Sequence, residues 1–143
     1  AVAALAQAGV PTGVMVAPVI PALNDHEIEW IIAAAADAGA VNAEYILLRL
    51  PHEVRALFQQ WLLVHEPDRA GKVLKLLADM RGGKLNDPRF GHRMRGQGAY
   101  ADLIGRRFKL ACRRHGLDRA GSLPPADATA AKASSQARQL SLF

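Results

Sequence analysis

Few residues in this chain are typed and spaced for catalysis. The histidines (His26, His52, His65, His92 and His115) are never three to five positions apart, so no helix offers two of them to one metal ion. No P-loop and no G-x-G-x-x-G phosphate cradle occurs. Cys112 lies beside Arg113 and Arg114, whose charge would favour a thiolate; the other reading is a structural cysteine in a helix. Asp25, Glu27 and Glu29 are close enough for acid–base work, yet negative charge at a helix start is reason enough for them. Arg49 sits near the end of an apolar run, where a bare charge is costly. It reads either as a contact for a phosphate or carboxylate or as half of a scaffold ion pair.

Charge is more informative than catalysis. Residues 1–80 carry 5 basic and 9 acidic side chains, whereas residues 81–119 carry 11 and 3, a net of +8. Arg81, Lys84, Arg89, Arg93 and Arg95 fall on a Gly- and Arg-rich segment without helical or strand period. Arg106, Arg107, Lys109, Arg113 and Arg114 fall on a helix, with Arg106, Lys109 and Arg113 on overlapping faces. Such a block suits the phosphate backbone of a nucleic acid, with Phe90 and Tyr100 available for stacking; the plainer reading is a solvated basic surface.

The elements that must position these groups centre on residues 11–25, PTGVMVAPVIPALND. The β-branched run 13–20, bounded by Gly and Pro, predicts a strand buried on both faces. Asn24 with Glu27 predicts a capping box, and Ile28, Ile31, Ile32 and Ala35 give the following helix one apolar face, ended by Gly39. Residues 43–50, AEYILLRL, predict a second strand, and the strand–helix–strand order predicts a parallel βαβ unit. Its ligand side is the loop leaving the first strand, 16–25.

Pro51 is expected to open a third helix with an apolar stripe of Val54, Leu57, Phe58, Trp61 and Leu62, and Pro67 to end it. Asp68 is expected to cap the next, with Val73, Leu74, Leu77 and Met80 inward and Gly82-Gly83 as the stop. A last helix is marked by Tyr100, Leu103, Ile104, Phe108 and Ala111. Residues 119–138 are Ala/Ser/Pro-rich and predict a disordered linker.

At 143 residues the chain suffices for a real core, and 50% apolar with 22% charged residues is the composition of a soluble globular protein. No apolar run approaches the roughly 20 residues of a membrane span, no signal-peptide pattern opens the chain, and a single cysteine forms no internal disulfide. A cytoplasmic location without membrane contact is therefore expected. Residues 1–8 read as the end of a helix stopped by Gly9, which leads us to expect a segment upstream of Ala1.

Gln139, Leu140, Ser141, Leu142 and Phe143 abruptly restore apolar character at the tail. QLSLF resembles the short motif by which bacterial replication and repair proteins dock on the DNA sliding clamp, where apolar side chains enter a preformed groove; the plainer reading is a chance apolar terminus. Taken with GVMVAPVIPALND, YILLRLPHEV and RGGKLNDPRFGHRMRGQGAYADLI, it resembles the C-terminal part of a bacterial group of radical SAM proteins. That group is similar to spore photoproduct lyase and is described as DNA repair photolyase-like. The resemblance runs from residue 1 to about 118 and resumes at 139–143.

The resemblance implies an α/β fold: the late portion of a partial or full TIM-type (β/α) barrel in residues 1–51. A helical, basic subdomain in 52–118, the linker 119–138 and the clamp-docking motif 139–143 would follow. In that superfamily the fifth strand carries G-x-I-x-G-x-x-E beside the adenine of S-adenosylmethionine; here it reads Gly13-x-Met15-x-Ala17-x-x-Ile20, with Ile20 in the acidic place. Val16, Ala17, Pro18, Val19 and Ile20 would form one cofactor wall, with Leu48 and Arg49 the other. The family's C-x-x-x-C-x-x-C motif, which holds a [4Fe–4S] cluster, is absent, since Cys112 stands alone. This chain would therefore be inactive without cluster ligands upstream, and Arg81, Lys84, Arg89, Arg93, Arg95, Arg106 and Arg113 would meet DNA. Two other functions fit the same residues: a non-enzymatic adaptor tethering DNA to the clamp, and a metabolic barrel enzyme that binds a phosphorylated substrate through Arg49.

Overall fold

The computed structural model describes residues 1–83, 85 and 92–118, without the side chains of His92 and Arg93. Elements follow in the order α1 (Val2–Gln7), β1 (Gly13–Val19), a single 3₁₀ turn (Asp25–Glu27), α2 (Ile28–Asp37), β2 (Asn42–Leu47), α3 (Val54–His65), α4 (Pro67–Asp79), α5 (His92–Arg95) and α6 (Ala99–Arg114). The mixed α/β class is as expected. β1 and β2 are parallel, with Gly13 opposite Asn42 and Val16 opposite Tyr45, and the register slips between Val16 and Val19. Two strands make up the sheet among the described residues and close no barrel.

Both strands are shorter than their apolar runs. β2 stops at Leu47 because the buried Arg81 guanidinium takes the carbonyls of Leu47 (3.4 Å) and Leu48 (2.9 Å), which would otherwise continue a ladder. Asn24 does not cap a helix. Its side chain instead closes the turn after β1, accepting from the Ile20 N–H (2.7 Å) and donating to the Pro18 carbonyl (3.1 Å).

The proline signals also shift. α3 begins at Val54 rather than Pro51, after a turn in which His52 has φ 35°. Pro67 does not merely end α3; it is the first residue of α4, where its missing N–H costs nothing, and Asp68 lies in the first turn rather than at the cap. Gly39 ends α2 with φ +88°, and a Cβ there would come within 2.7 Å of Ala6 Cβ, so any side chain would push α1 away.

One core cluster takes residues from both sides of position 51. α2 contributes Ile28 and Ile32, the sheet Val16, Val19, Tyr45 and Leu47, α4 Val73 and Leu77, and α6 Ile104, Phe108 and Ala111. The Tyr45 and Phe108 rings meet at 4.7 Å between centroids. Each large aliphatic side chain buried here is worth about 1.5–3 kcal/mol. α3 departs from its expected stripe: Leu62 is buried and Phe58 half-buried, but Val54, Leu57 and Trp61 are exposed. No helix among the described residues is long and apolar enough to cross a membrane.

Candidate functional site

Two regions hold the residues singled out by sequence. The first is the end of the strands, where parallel βα units open their loops to ligands. Alternation along β1 splits the expected cofactor wall. Val16 and Val19 are buried in the core, so their side chains cannot line a cofactor surface, which corrects that expectation. Ala17 and Pro18 are exposed, and Ile20 and Leu48 are half-buried. Met15, on the same open side as Ala17, is also exposed. Arg49 is half-buried, and its Nε is buried without any hydrogen-bond partner. Among the described residues it makes no ion pair, so the scaffold salt bridge considered for it is not formed.

The loop beyond Ile20 is held from α6. Tyr100 donates from Oη to Asp25 Oδ2 at 2.8 Å. Arg107 donates to both Glu29 oxygens (2.8 and 2.7 Å) and to the Asp25 carbonyl (2.9 Å), with its charge 3.6 Å from the buried Asp25 carboxylate. These hydrogen bonds from Arg107 hold the Glu29 carboxyl below the usual range. Burial, and then the hydrogen bond to Asp25, push the Tyr100 hydroxyl up. Asp25 and Glu29 are thus fastening points, and Tyr100 has its polar end engaged rather than standing free to stack on a base. Sequence reasoning missed this network because its members lie more than seventy positions apart. The available signal was the excess of acid at the start of α2 against the excess of base on α6.

The second region is the basic side of α6. Arg81 does not belong to it: at 3% exposure it is internal, spent on the carbonyls after β2, which corrects its assignment to a nucleic-acid surface. Arg95 does belong. It pairs with Glu44 and lies 4.2 Å over the Tyr45 ring, where an aromatic face favours a cation. Arg106, Lys109, Arg113 and Arg114 are exposed along α6.

A hollow of about 730 Å³ lies between the β2 edge and α6, lined by Arg95, Arg106, Lys109 and Asp102 with Tyr45 and Gly105. A second, of about 300 Å³, shares Arg95 and Lys109 and adds Arg113, Glu44 and Asp118. Neither hollow is lined by the strand-end residues. Lys84, Arg89, Phe90 and the tail Gln139, Leu140, Ser141, Leu142 and Phe143 lie outside the described residues, as does the side chain of Arg93.

Cys112 is buried on the inner side of α6. Burial first, then the Glu44 and Asp118 carboxylates, push its thiol up to about 11. The neighbouring arginines in sequence point elsewhere, so the activated-thiolate reading falls away. Among the described residues no group of three or more His, Cys, Asp and Glu side chains is placed to hold a metal ion. Comparison of the chain with protein-family models, with curated proteins and with solved structures found no match.

Proposed function

We propose that this chain is the late, C-terminal part of a radical SAM enzyme that acts on DNA, in repair, and docks on the sliding clamp through residues 139–143. The observation that carries this reading is Arg49: a cation with its Nε buried and unpartnered, at the ligand end of a parallel βαβ unit. Burying an unsatisfied charged donor is unfavourable by itself, and a carboxylate or phosphate brought to it would recover the lost hydrogen bond. S-adenosylmethionine carries a carboxylate, and the exposed Ala17 and Pro18 offer a small apolar ledge beside half-buried Ile20 and Leu48. In the barrel form of the proposal, the open side of β1, with Met15 and Ala17, faces the interior and further strands complete the sheet.

A reduced [4Fe–4S] cluster, when bound, would supply the electron for reductive cleavage of S-adenosylmethionine and so the means of hydrogen abstraction. The cluster thiolates are not in this chain, whose single cysteine is buried. Its own residues would orient: Arg49 the cofactor's anionic group, and the Tyr100–Asp25 and Arg107–Glu29 contacts the loop that walls it. α6 would meet the nucleic-acid backbone. The location consistent with this role is the cytoplasm.

The test is to purify, without oxygen, the product of the whole reading frame containing this chain. Stoichiometric iron and sulfide, with visible absorbance that bleaches on reduction, are expected. A colourless, iron-free protein would sink the radical reading and leave the clamp adaptor, which the exposed cations of α6 favour on their own.

A further inference from the structure

The larger of the two hollows is the more cationic. Arg95, Arg106 and Lys109 open onto it against one carboxylate, Asp102. Lys109 has no hydrogen bond or ion pair among the described residues, and Arg106 uses only Nε, on the Asp102 carbonyl at 3.4 Å. Arg95 is held in place by Glu44 and by the Tyr45 ring. Gly96 and Gly105 line the hollow where packing leaves little room for a side chain. A Cβ at Gly96, which has φ +66°, would lie 3.0 Å from Leu47 Cδ1, and one at Gly105 would lie 3.1 Å from Tyr45 Oη.

We propose that this hollow between the β2 edge and α6 is a phosphate seat, with Arg95, Arg106 and Lys109 its ligands. Guanidinium forks match phosphate oxygens in pairs, while the lysine acts as a point charge. About 730 Å³ is the scale of a nucleotide rather than of a single small anion. The cations also continue: the second hollow shares Arg95 and Lys109 and leads to Arg113. Arg106, Lys109 and Arg113 span roughly 10 Å along the helix axis, which spreads the positive charge over more than one phosphate group of a strand. Glu44 and Asp118 make the second hollow less cationic, so the first is the anchor. Tyr45 and Phe108 are buried, so among the described residues the seat has no exposed ring to stack a base and holds phosphate by charge and shape.

A phosphate can come from a nucleic-acid strand or from a free nucleotide. The strand deepens the DNA-contact half of the proposed function and rests on that half alone; an iron-free protein would leave it intact. Binding to the full chain is read by anisotropy of a short labelled oligothymidylate over a salt series, and separately by titration with ADP. Wild type is compared with the pair Arg106→Ala/Lys109→Ala and with a control pair on α3 and α4, Arg55→Ala/Arg69→Ala. All four side chains are exposed, and unchanged melting temperatures verify the fold.

If a strand sits there, the α6 pair weakens oligothymidylate binding about tenfold or more and lowers the salt slope by about 1.4, with the control unmoved. If a free nucleotide sits there, ADP binding is lost in the α6 pair while oligothymidylate fails to compete. The proposal is overturned if wild type binds neither probe, if the α6 pair binds both as wild type does, or if the control pair loses as much.

Discussion

Tyr100 Oη and Asp25 Oδ2 meet at 2.8 Å and tie the first turn of α6 to the loop leaving β1. Arg107, two turns further on, grips the same loop and Glu29. The loop leaving β1 is thus held by α6, the helix that also carries the basic surface. Replacing Tyr100 by Phe removes one hydrogen bond to a buried carboxylate and should cost about 1–2 kcal/mol; Arg107→Ala, which removes several charge-assisted bonds, about 2–3 kcal/mol. Urea midpoints read both, and the two changes should be strongly non-additive because they share Asp25. Additive losses would mean that the network does not act as a unit.

The Arg107–Glu29 pair sets a pH dependence. Its hydrogen bonds lower the Glu29 carboxyl from 4.5, so the unfolded chain takes up that proton first as the pH falls. The stabilisation is complete above 4.5 and disappears as the pH drops through the lower folded value. Glu29 is 43% exposed, so solvent screening limits the effect to about 1 kcal/mol. Glu29→Gln should therefore be the less stable protein at neutral pH, with the gap closing as the pH falls below 4.5. A gap that persists in acid would assign the loss to packing instead.

Cys112 should be inert in the folded chain. With its thiol pushed up to about 11 and its side chain buried, alkylation by iodoacetamide at mildly alkaline pH should be slow and should jump on adding denaturant. Fast labelling of native protein would show that α6 opens readily or that the adjacent arginines reach the sulfur.

The tail carries a separable expectation. Deleting residues 139–143 should abolish binding to a bacterial sliding clamp, measured by surface plasmon resonance, and leave the melting temperature unchanged. A complex that survives the deletion would remove the clamp from the proposed function.

What the amino-acid order determined alone is the local grammar. A β-branched run between Gly and Pro and a second apolar run ended by Pro51 produced two strands, and the helix between them made those strands parallel. The spacing of Ile28 and Ile32 buried one face of α2, and Val73 with Leu77 did the same for α4. These depend on neighbours within one or two turns, where periodicity is a direct physical signal. Tertiary structure decided which charges are free. Arg81, Arg107 and Arg113 are alike in the sequence, yet the first satisfies buried carbonyls, the second is held by two carboxylates and the third faces solvent. Val16 and Ala17 are neighbours, but the pleat sends one into the core and leaves the other open. The cost of leaving a charge or a carbonyl unpaired is paid by groups distant in sequence, so only the folded arrangement shows which cations remain for a ligand.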